Sequence, residues 1–247
     1  MSEALISDLC QAIETITGCP RPEPEQRFHK HDEYLSYGLR APDFYKIMKD
    51  FRPRFLELPF PERLSLASRL LGEHIGELGH AGIHVVALSV AELAPDHFHI
   101  LDRLPEDFRS WSHVDYFCGE VMAPLLWKYR VETLALIETW NHSPNRWKRR
   151  ASVVTFTRKV GRSGEFTEDV LRLCENLIWD TEDIVQKGVG WALKDNLRSA
   201  PERLLPYIKD LRRRGVSSTI TLYAIRDLKG MEREMVLSVK GGESSSK

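Results

Sequence analysis

The feature that most constrains this 247-residue chain is the spacing of its apolar residues, which recur three and four positions apart and rarely alternate strictly. Prolines such as Pro42, Pro61 and Pro201 stand where a helix can begin, because the first helical turn does not need the amide that proline lacks. Gly164 and Gly215 stand where helices can end. The pattern therefore predicts an all-α fold. Helices are expected over residues 2–16, 28–36, 42–57, 61–75, 80–94, 113–127, 131–141, 144–160, 166–179, 182–198, 201–213 and 217–229.

Two segments suggest that these helices repeat. RRASVVTF at 149–156 and QKGVGWAL at 186–193 lie 37 residues apart, and each passes from basic to small to apolar residues. A period of roughly 35–40 residues with two helices per unit favours HEAT-like helix pairs stacked into a curved α-solenoid. An irregular helical bundle is the alternative. We expect one domain over residues 1–236 and a disordered tail over 237–247.

Charge is distributed unevenly along the chain, although the formal net charge is only -1. The stretch 143–164 contains seven lysines and arginines and no acidic residue. Such a stretch can bind a polyanion locally even in a nearly neutral protein, and the alternative is a solvated basic helix face. The curved inner face of a solenoid would suit a rod such as duplex DNA.

The cysteines and histidines give no sign of a metal site. The four cysteines are scattered without a CxxC pair, and His29 and His31 do not complete a zinc spacing with them. The chain also lacks the glycine loop of nucleotide-binding proteins and the HExxH and GxSxG motifs. With neither a signal peptide nor a membrane span evident, we expect a reduced, cytoplasmic protein that needs no cofactor or metal.

The first motif that could carry chemistry is SWSHVDY at 110–116. One interpretation is purely structural: Ser112 caps a helix, Asp115 completes its capping box, and Trp111 and Tyr116 form a hydrophobic staple. The other interpretation is functional, with Trp111 and Asp115 both facing a ligand groove. The local sequence leaves both open.

The second motif is NRWKRRA at 145–151, where four basic residues and Trp147 open a helix. Cations at a helix N-terminus oppose the helix dipole, so we expect something to compensate for them. Phosphate groups would do so, because they attract both the helix amides and the basic side chains. A surface helix that tolerates the small penalty is the alternative.

The third motif is GVGWALK at 188–194. Helical spacing places one basic face and one apolar face on opposite sides of this segment. The basic face consists of Lys187, Trp191, Lys194 and Arg198, and the apolar face of Val185, Val189, Leu193 and Leu197. Trp191 is thus expected on the basic side, although it could instead pack against a neighbouring helix beneath lysine stems. The two glycines would let another backbone come close.

Taken together, these motifs resemble the AlkD-like DNA alkylation repair family of HEAT-repeat DNA glycosylases. The resemblance is carried by YGLRAP at 37–42, WSHVD at 111–115, WKRRA at 147–151 and GWAL at 190–193, in the order and at the separations typical of that family. It runs from about residue 34 to residue 228. Two departures are visible: Ser110 replaces an aromatic residue, and no basic residue stands beside Ser218.

The resemblance implies roles for individual residues. Asp115 corresponds to the catalytic carboxylate, and Trp111 and Trp191 to the aromatic walls beside the damaged nucleotide. Arg150 corresponds to the arginine that holds the phosphate at the lesion, with Arg149 as the adjacent alternative. The other residues expected on the DNA side are Trp147, Lys148, Lys187 and Lys194.

The activity implied by the resemblance is monofunctional: hydrolysis of the N-glycosidic bond of cationic N3- or N7-alkylated purines, which leaves an abasic site. The expected partner is double-stranded DNA containing alkylated bases, and the expected state is a monomer. The alternative is a non-catalytic HEAT-like scaffold that binds DNA or a protein. Retention of Asp115, Trp111, Trp191 and Arg150 favours the enzyme, because a scaffold needs no such set.

Overall fold

The computed structural model describes residues 2–25 and 34–239. This part of the chain is almost wholly helical, which confirms the predicted all-α class. It divides into two compact units, Met1–Arg130 and Val131–Lys247. The single HEAT-like domain expected over 1–236 stays a prediction. Within the described ranges, no helix combines the length and apolar character needed to cross a membrane.

The described residues of the first unit form seven α-helices. They are α1 (Ser2–Thr17), α2 (Ala41–Glu57), α3 (Phe60–Gly72), α4 (Gly76–Leu88), α5 (Phe98–Arg103), α6 (Trp111–Phe117) and α7 (Ala123–Lys128). The short 3-10 helices Pro95–His97 and Leu104–Asp107 flank α5, and the π-helical turn Cys118–Met122 joins α6 to α7. Strands β1 (Glu23–Pro24) and β2 (Leu35–Ser36) pair antiparallel.

Close packing of α3 against α4 forms the centre of this unit. A Cβ atom at Gly82 would lie 2.7 Å from the Ala67 carbonyl oxygen, so the glycine lets the two helix backbones approach. Leu66, Leu70 and Ile83 are fully buried around this contact. The pair gives the loops before α4 and before α6 a rigid support.

The second unit has eight α-helices over the residues that the structure describes, up to 239. They are α8 (Arg130–Asn141), α9 (Arg146–Val154), α10 (Arg158–Ser163), α11 (Thr167–Leu177), α12 (Asp183–Leu197), α13 (Pro201–Arg213), α14 (Ser218–Ala224) and α15 (Gly230–Leu237). Helix α12 is central and packs against α9, α11 and α14. Its predicted apolar face is confirmed, because Val185, Val189, Leu193 and Leu197 are all buried.

The two glycines of α12 serve protein packing. A Cβ atom at Gly188 would meet side chains of α9 at 3.3–3.4 Å, and one at Gly190 would lie 2.6 Å from the Cβ of Tyr223 in α14. The close backbone approach predicted at these glycines is therefore made by neighbouring helices of the same unit.

Several predicted helix bounds were wrong. The helix expected over 28–36 falls mostly outside the described residues, and its end is strand β2. The helix expected over 144–160 breaks after Val154, where Thr155 and Thr157 donate their hydroxyls to backbone carbonyls of the preceding turn. Helix α15 was not predicted. Residues 237–239 of the predicted tail are described, and 240–247 lie outside the described part.

Candidate functional site

Helix α6 begins one residue after Ser110, whose hydroxyl oxygen accepts a hydrogen bond from the Ser112 amide at 3.0 Å. The predicted capping box is therefore wrong in register. It required Ser112 to be the cap and Asp115 to accept from the Ser112 amide, but that amide donates to Ser110. Asp115 instead lies in the body of the helix, one turn after Trp111.

Trp111 and Asp115 lie on one face of α6, because residues four apart are neighbours on a helix. The indole of Trp111 is 39% exposed, and Asp115 is 9% exposed. An exposed aromatic ring with a carboxylate largely withdrawn from water beside it is the arrangement expected of a site for a cation. The roles expected of Trp111 and Asp115 stay predictions.

His113 fixes α6 against α4. Its Nε2 donates to the Gly76 carbonyl at 2.9 Å, and its ring packs where Gly79 leaves room, since a Cβ there would lie 2.6 Å from His113 Cε1. The histidine is 1% exposed. Because His113 lies between Trp111 and Asp115 in the sequence, this contact fixes the helical turn to which both residues belong.

In the second unit, Asn145 caps α9. Its side-chain oxygen accepts from the amides of Trp147 at 2.8 Å and Lys148 at 3.3 Å. The cap satisfies the first amides of the helix, so a bound phosphate is not needed for that purpose. Trp147 is 4% and Lys148 8% exposed. Both side chains are thus nearly buried, and the DNA contact expected of them stays a prediction.

The structure gives Arg149 and Arg150 different surroundings. Arg149 binds Asp180 through an Nε–Oδ2 contact of 2.6 Å and donates to the carbonyls of Ser143 and Pro144. It thereby fastens the loop before α9. Arg150 is 5% exposed and donates from Nη1 to the Ile184 carbonyl in α12 at 2.5 Å. Which of the two contacts a phosphate stays a prediction.

The basic face predicted for α12 is not uniform. Lys187 is exposed and pairs with Asp183 at 2.6 Å, whereas Lys194 is buried, with its Nζ 3.0 Å from Asp195 Oδ1. Asp227 accepts a hydrogen bond from Arg198, which lowers the pKa of that carboxyl group and keeps it charged. The expectation of an exposed basic stripe through Lys194 was therefore wrong. Lys194 is buried, and acidic residues pair with the basic residues at the C-terminal end of α12.

Trp191 is half-buried and lies under an arginine that the sequence analysis did not single out. The Arg158 guanidinium carbon is 5.0 Å from the indole centroid, within the range of a cation–π contact. Arg158 has a φ of 55°, a left-handed conformation uncommon for a non-glycine residue, and its amide donates to Asp195 Oδ2 at 2.6 Å. The only available signal was its position in the acid-free basic stretch.

The fold is shared with a DNA alkylation repair protein. Over 90% of this chain and 95% of the other, the structure matches a protein described as a predicted DNA alkylation repair enzyme from Enterococcus faecalis, with a TM-score of 0.70 and 13% sequence identity. At that identity the match shows the fold alone. The all-helical fold class expected from the motifs is therefore confirmed.

The family is shown by the sequence. The model of the DNA alkylation repair enzyme family matches residues 19–228, and the chain belongs to that family. The resemblance carried by the four segments is thus confirmed, and the process in which this family takes part is DNA alkylation repair. No similar sequence is found among curated proteins.

A second solved structure gives a weaker match. The Pseudomonas fluorescens alkylpurine DNA glycosylase AlkC, bound to DNA containing an abasic site analog, has a TM-score of 0.46 and 18% identity. The match covers 98% of this chain and 66% of that one.

Proposed function

We propose that this protein is a monofunctional DNA glycosylase that removes cationic N3- or N7-alkylated purines from duplex DNA. The observation that carries the proposal is the position of Asp115 on α6. Ser110 provides the helix cap, so Asp115 is not needed for that role and lies one turn from the exposed Trp111. Membership of a DNA alkylation repair family supports the same conclusion.

Hydrolysis of the glycosidic bond needs few protein groups beyond Asp115 and Trp111. An alkylated purine already carries positive charge, so it leaves without a proton from a general acid. As the bond between C1′ and the base nitrogen breaks, positive charge develops on the sugar, and a nearby carboxylate stabilises it. Asp115 would stabilise this charge and orient the water whose oxygen bonds to C1′, and the water's proton passes to solvent.

The exposed indole of Trp111 would recognise the positive charge of the alkylated base. Indole faces attract cations by roughly 0.5–2 kcal/mol each, and the attraction is larger where water is excluded. Trp111 offers an exposed face for this purpose. In the second unit, the Arg158 guanidinium already lies over one face of the Trp191 indole, 5.0 Å from the ring centroid.

Contact with the DNA backbone would come from cations that remain exposed in the second unit. Arg158, Lys159 and Arg162 of α10 are exposed, as is Lys187 of α12. Each phosphate contact releases condensed counterions, so duplex binding should weaken steeply as salt increases. We therefore propose that α10 and Lys187 contact the DNA backbone.

The decisive experiment measures release of methylated purines from N-methylated duplex DNA in single turnover. We expect release by the native protein and a loss of about 10²–10³-fold in Asp115→Asn, since that substitution removes the charge that opposes the developing cation. Glu120→Gln is the matched control, because this exposed acid lies just beyond α6 and should keep full activity.

Two results would end the assignment. Full activity of Asp115→Asn would remove the proposed catalytic group. Duplex binding by the native protein without any base release would favour the alternative, a non-catalytic helical scaffold that binds DNA.

A further inference from the structure

A cavity of about 350 Å³ lies in the first unit, between helix α3 and the segment formed by residues 97–103. Cavities of roughly 300–1,000 Å³ are typical of sites for small molecules. Most of the wall is apolar and comes from Phe60, Pro61, Leu64 and Ile100. A cavity of roughly 150 Å³ in another protein holds a benzene ring, so this one has room for a ring with a polar substituent.

The aromatic part of this wall is held in place by its neighbours. The imidazole of His97 packs edge-on against Phe60, with the ring centroids 4.9 Å apart. The Arg63 guanidinium lies over the phenyl ring, 5.9 Å from its centroid, and pairs with Glu92. Because Glu92 neutralises Arg63, that guanidinium supports the wall, and a charge offered to a ligand has to come from another residue.

Two uncharged groups of the cavity can donate hydrogen bonds to a ligand. The Ala94 amide donates to Nδ1 of His97 at 3.1 Å, so the hydrogen of the neutral ring is on Nε2. The Ser65 hydroxyl is exposed and can donate as well. Ser68, which also lines the cavity, instead donates its hydroxyl to the Leu64 carbonyl at 3.1 Å. The polar groups that remain available therefore suit a ligand with acceptor oxygens.

Arg103 gives the cavity its charge. The side chain lines the cavity and is exposed, and its guanidinium makes no ion pair or hydrogen bond with the residues that the structure describes. His99 lies one turn earlier on the same face of α5, and its Nδ1 donates to the Asp96 carbonyl at 2.8 Å. None of the described residues that line the cavity is acidic. A cation at the open side of an apolar cavity favours an anion whose apolar part enters the cavity.

We propose that this cavity binds a small organic carboxylate whose apolar part is about the size of one ring. The ring lies against Phe60, Leu64 and Ile100, and the carboxylate meets Arg103 at the opening. A planar guanidinium can donate two parallel hydrogen bonds to the two oxygens of a carboxylate, which is the strong geometry for this pair. Binding of this ligand involves neither DNA nor base release, so the outcome of the glycosylase assays does not decide it.

The test titrates the protein with 4-ethylbenzoate and follows its backbone amide signals by NMR, which detects weak binding and reports where it occurs. 4-Ethylbenzamide is the neutral counterpart with the same ring and ethyl group. We expect the carboxylate to bind about tenfold more tightly than the amide, because hydrogen bonds to a charged group are the stronger ones. The signals that shift should be those of residues 60–68 and 97–103. Equal affinity, or tighter binding of the amide, would overturn the proposal.

Variants of Arg103 test the charge without disturbing the core, because this side chain is exposed. Arg103→Gln should weaken binding of the carboxylate at least fivefold and leave that of the amide within twofold. Arg103→Lys, which keeps the charge, should still prefer the carboxylate. Lys49→Gln removes an exposed cation of α2 and should change neither affinity. An unchanged carboxylate affinity in Arg103→Gln, or an equal loss in Lys49→Gln, would contradict the assignment.

Two further measurements test the apolar part of the site. Ser65→Phe places a ring in the cavity from an exposed position, so it should abolish binding of both ligands while the melting temperature changes little. Inorganic phosphate, added at constant ionic strength, should not displace 4-ethylbenzoate, because phosphate has no apolar part to bury. Retained binding in Ser65→Phe, or displacement by phosphate, would remove the cavity as the site and leave only a basic patch on the surface.

Discussion

At the scale of single residues, the role of each polar side chain depends on the group to which it is hydrogen-bonded. Ser110 provides the cap of α6, which removes the capping-box explanation for Asp115. In the second unit, Asp180 and two carbonyls engage Arg149, while Arg150 reaches the first turn of α12. Neighbouring residues of one type therefore have different roles, and the partner of each decides which.

Trp111 offers the clearest prediction at this scale. Trp111→Leu should lower single-turnover base release at least tenfold, because the lost indole contributes up to about 2 kcal/mol of attraction to a cation. The melting temperature should change little, since 39% of the residue is exposed. Trp127→Leu is the control, as Trp127 is also an exposed tryptophan of the first unit. Equal losses in the two variants would contradict a specific role for Trp111.

At the scale of elements, helix α12 shows how small residues set the spacing of a helical core. Gly188 faces α9 and Gly190 faces α14, and the contacts at the two positions differ in closeness. Since Trp191 follows Gly190 directly, the close packing of α12 against α14 also fixes the position of the indole.

Alanine substitutions test this spacing. Gly190→Ala places a Cβ 2.6 Å from Tyr223 Cβ and 3.0 Å from the Ile220 carbonyl oxygen, so the helices must move apart. We expect it to lower the free energy of unfolding by roughly 1–3 kcal/mol, as overpacking does. Gly188→Ala meets only side-chain carbons at 3.3–3.4 Å and should stay within about 1 kcal/mol of the native protein. Denaturant unfolding distinguishes the two, and an equal cost would contradict the packing argument.

At the scale of the whole molecule, buried histidines link stability to pH. Burial is the main cause that lowers the pKa of both His80 and His84 from the ordinary value of 6.5. Below pH 6.5 the unfolded chain therefore takes up protons that the folded protein does not, and the free energy of unfolding decreases. Above this pH both states are neutral at these residues and the effect disappears.

Denaturant unfolding between pH 5 and pH 8 should show this dependence: constant stability above about pH 7 and a decline from pH 6.5 downward. His80→Asn should flatten the decline, because the asparagine amide can still donate to Gly76 but does not titrate. His142→Asn, at a side chain that is 64% exposed, should leave the slope unchanged. A stability that rises as the pH is lowered through this range would contradict the assignment.

Local sequence determined the all-α class, the buried face of α12 and the start of α13 at Pro201, because each depends on residues within a few turns of one another. The motifs also determined the family. Their chemistry was visible from residue type and spacing alone, without any knowledge of packing.

Only the tertiary structure decided which serine caps α6, that Arg158 covers Trp191, and that Lys194 is buried. The physical reason is that most of these contacts join residues more than 30 positions apart, where helical periodicity carries no information. Even the use of Ser110 and not Ser112 as the helix cap depends on tertiary structure, because α6 has to begin where His113 can contact α4.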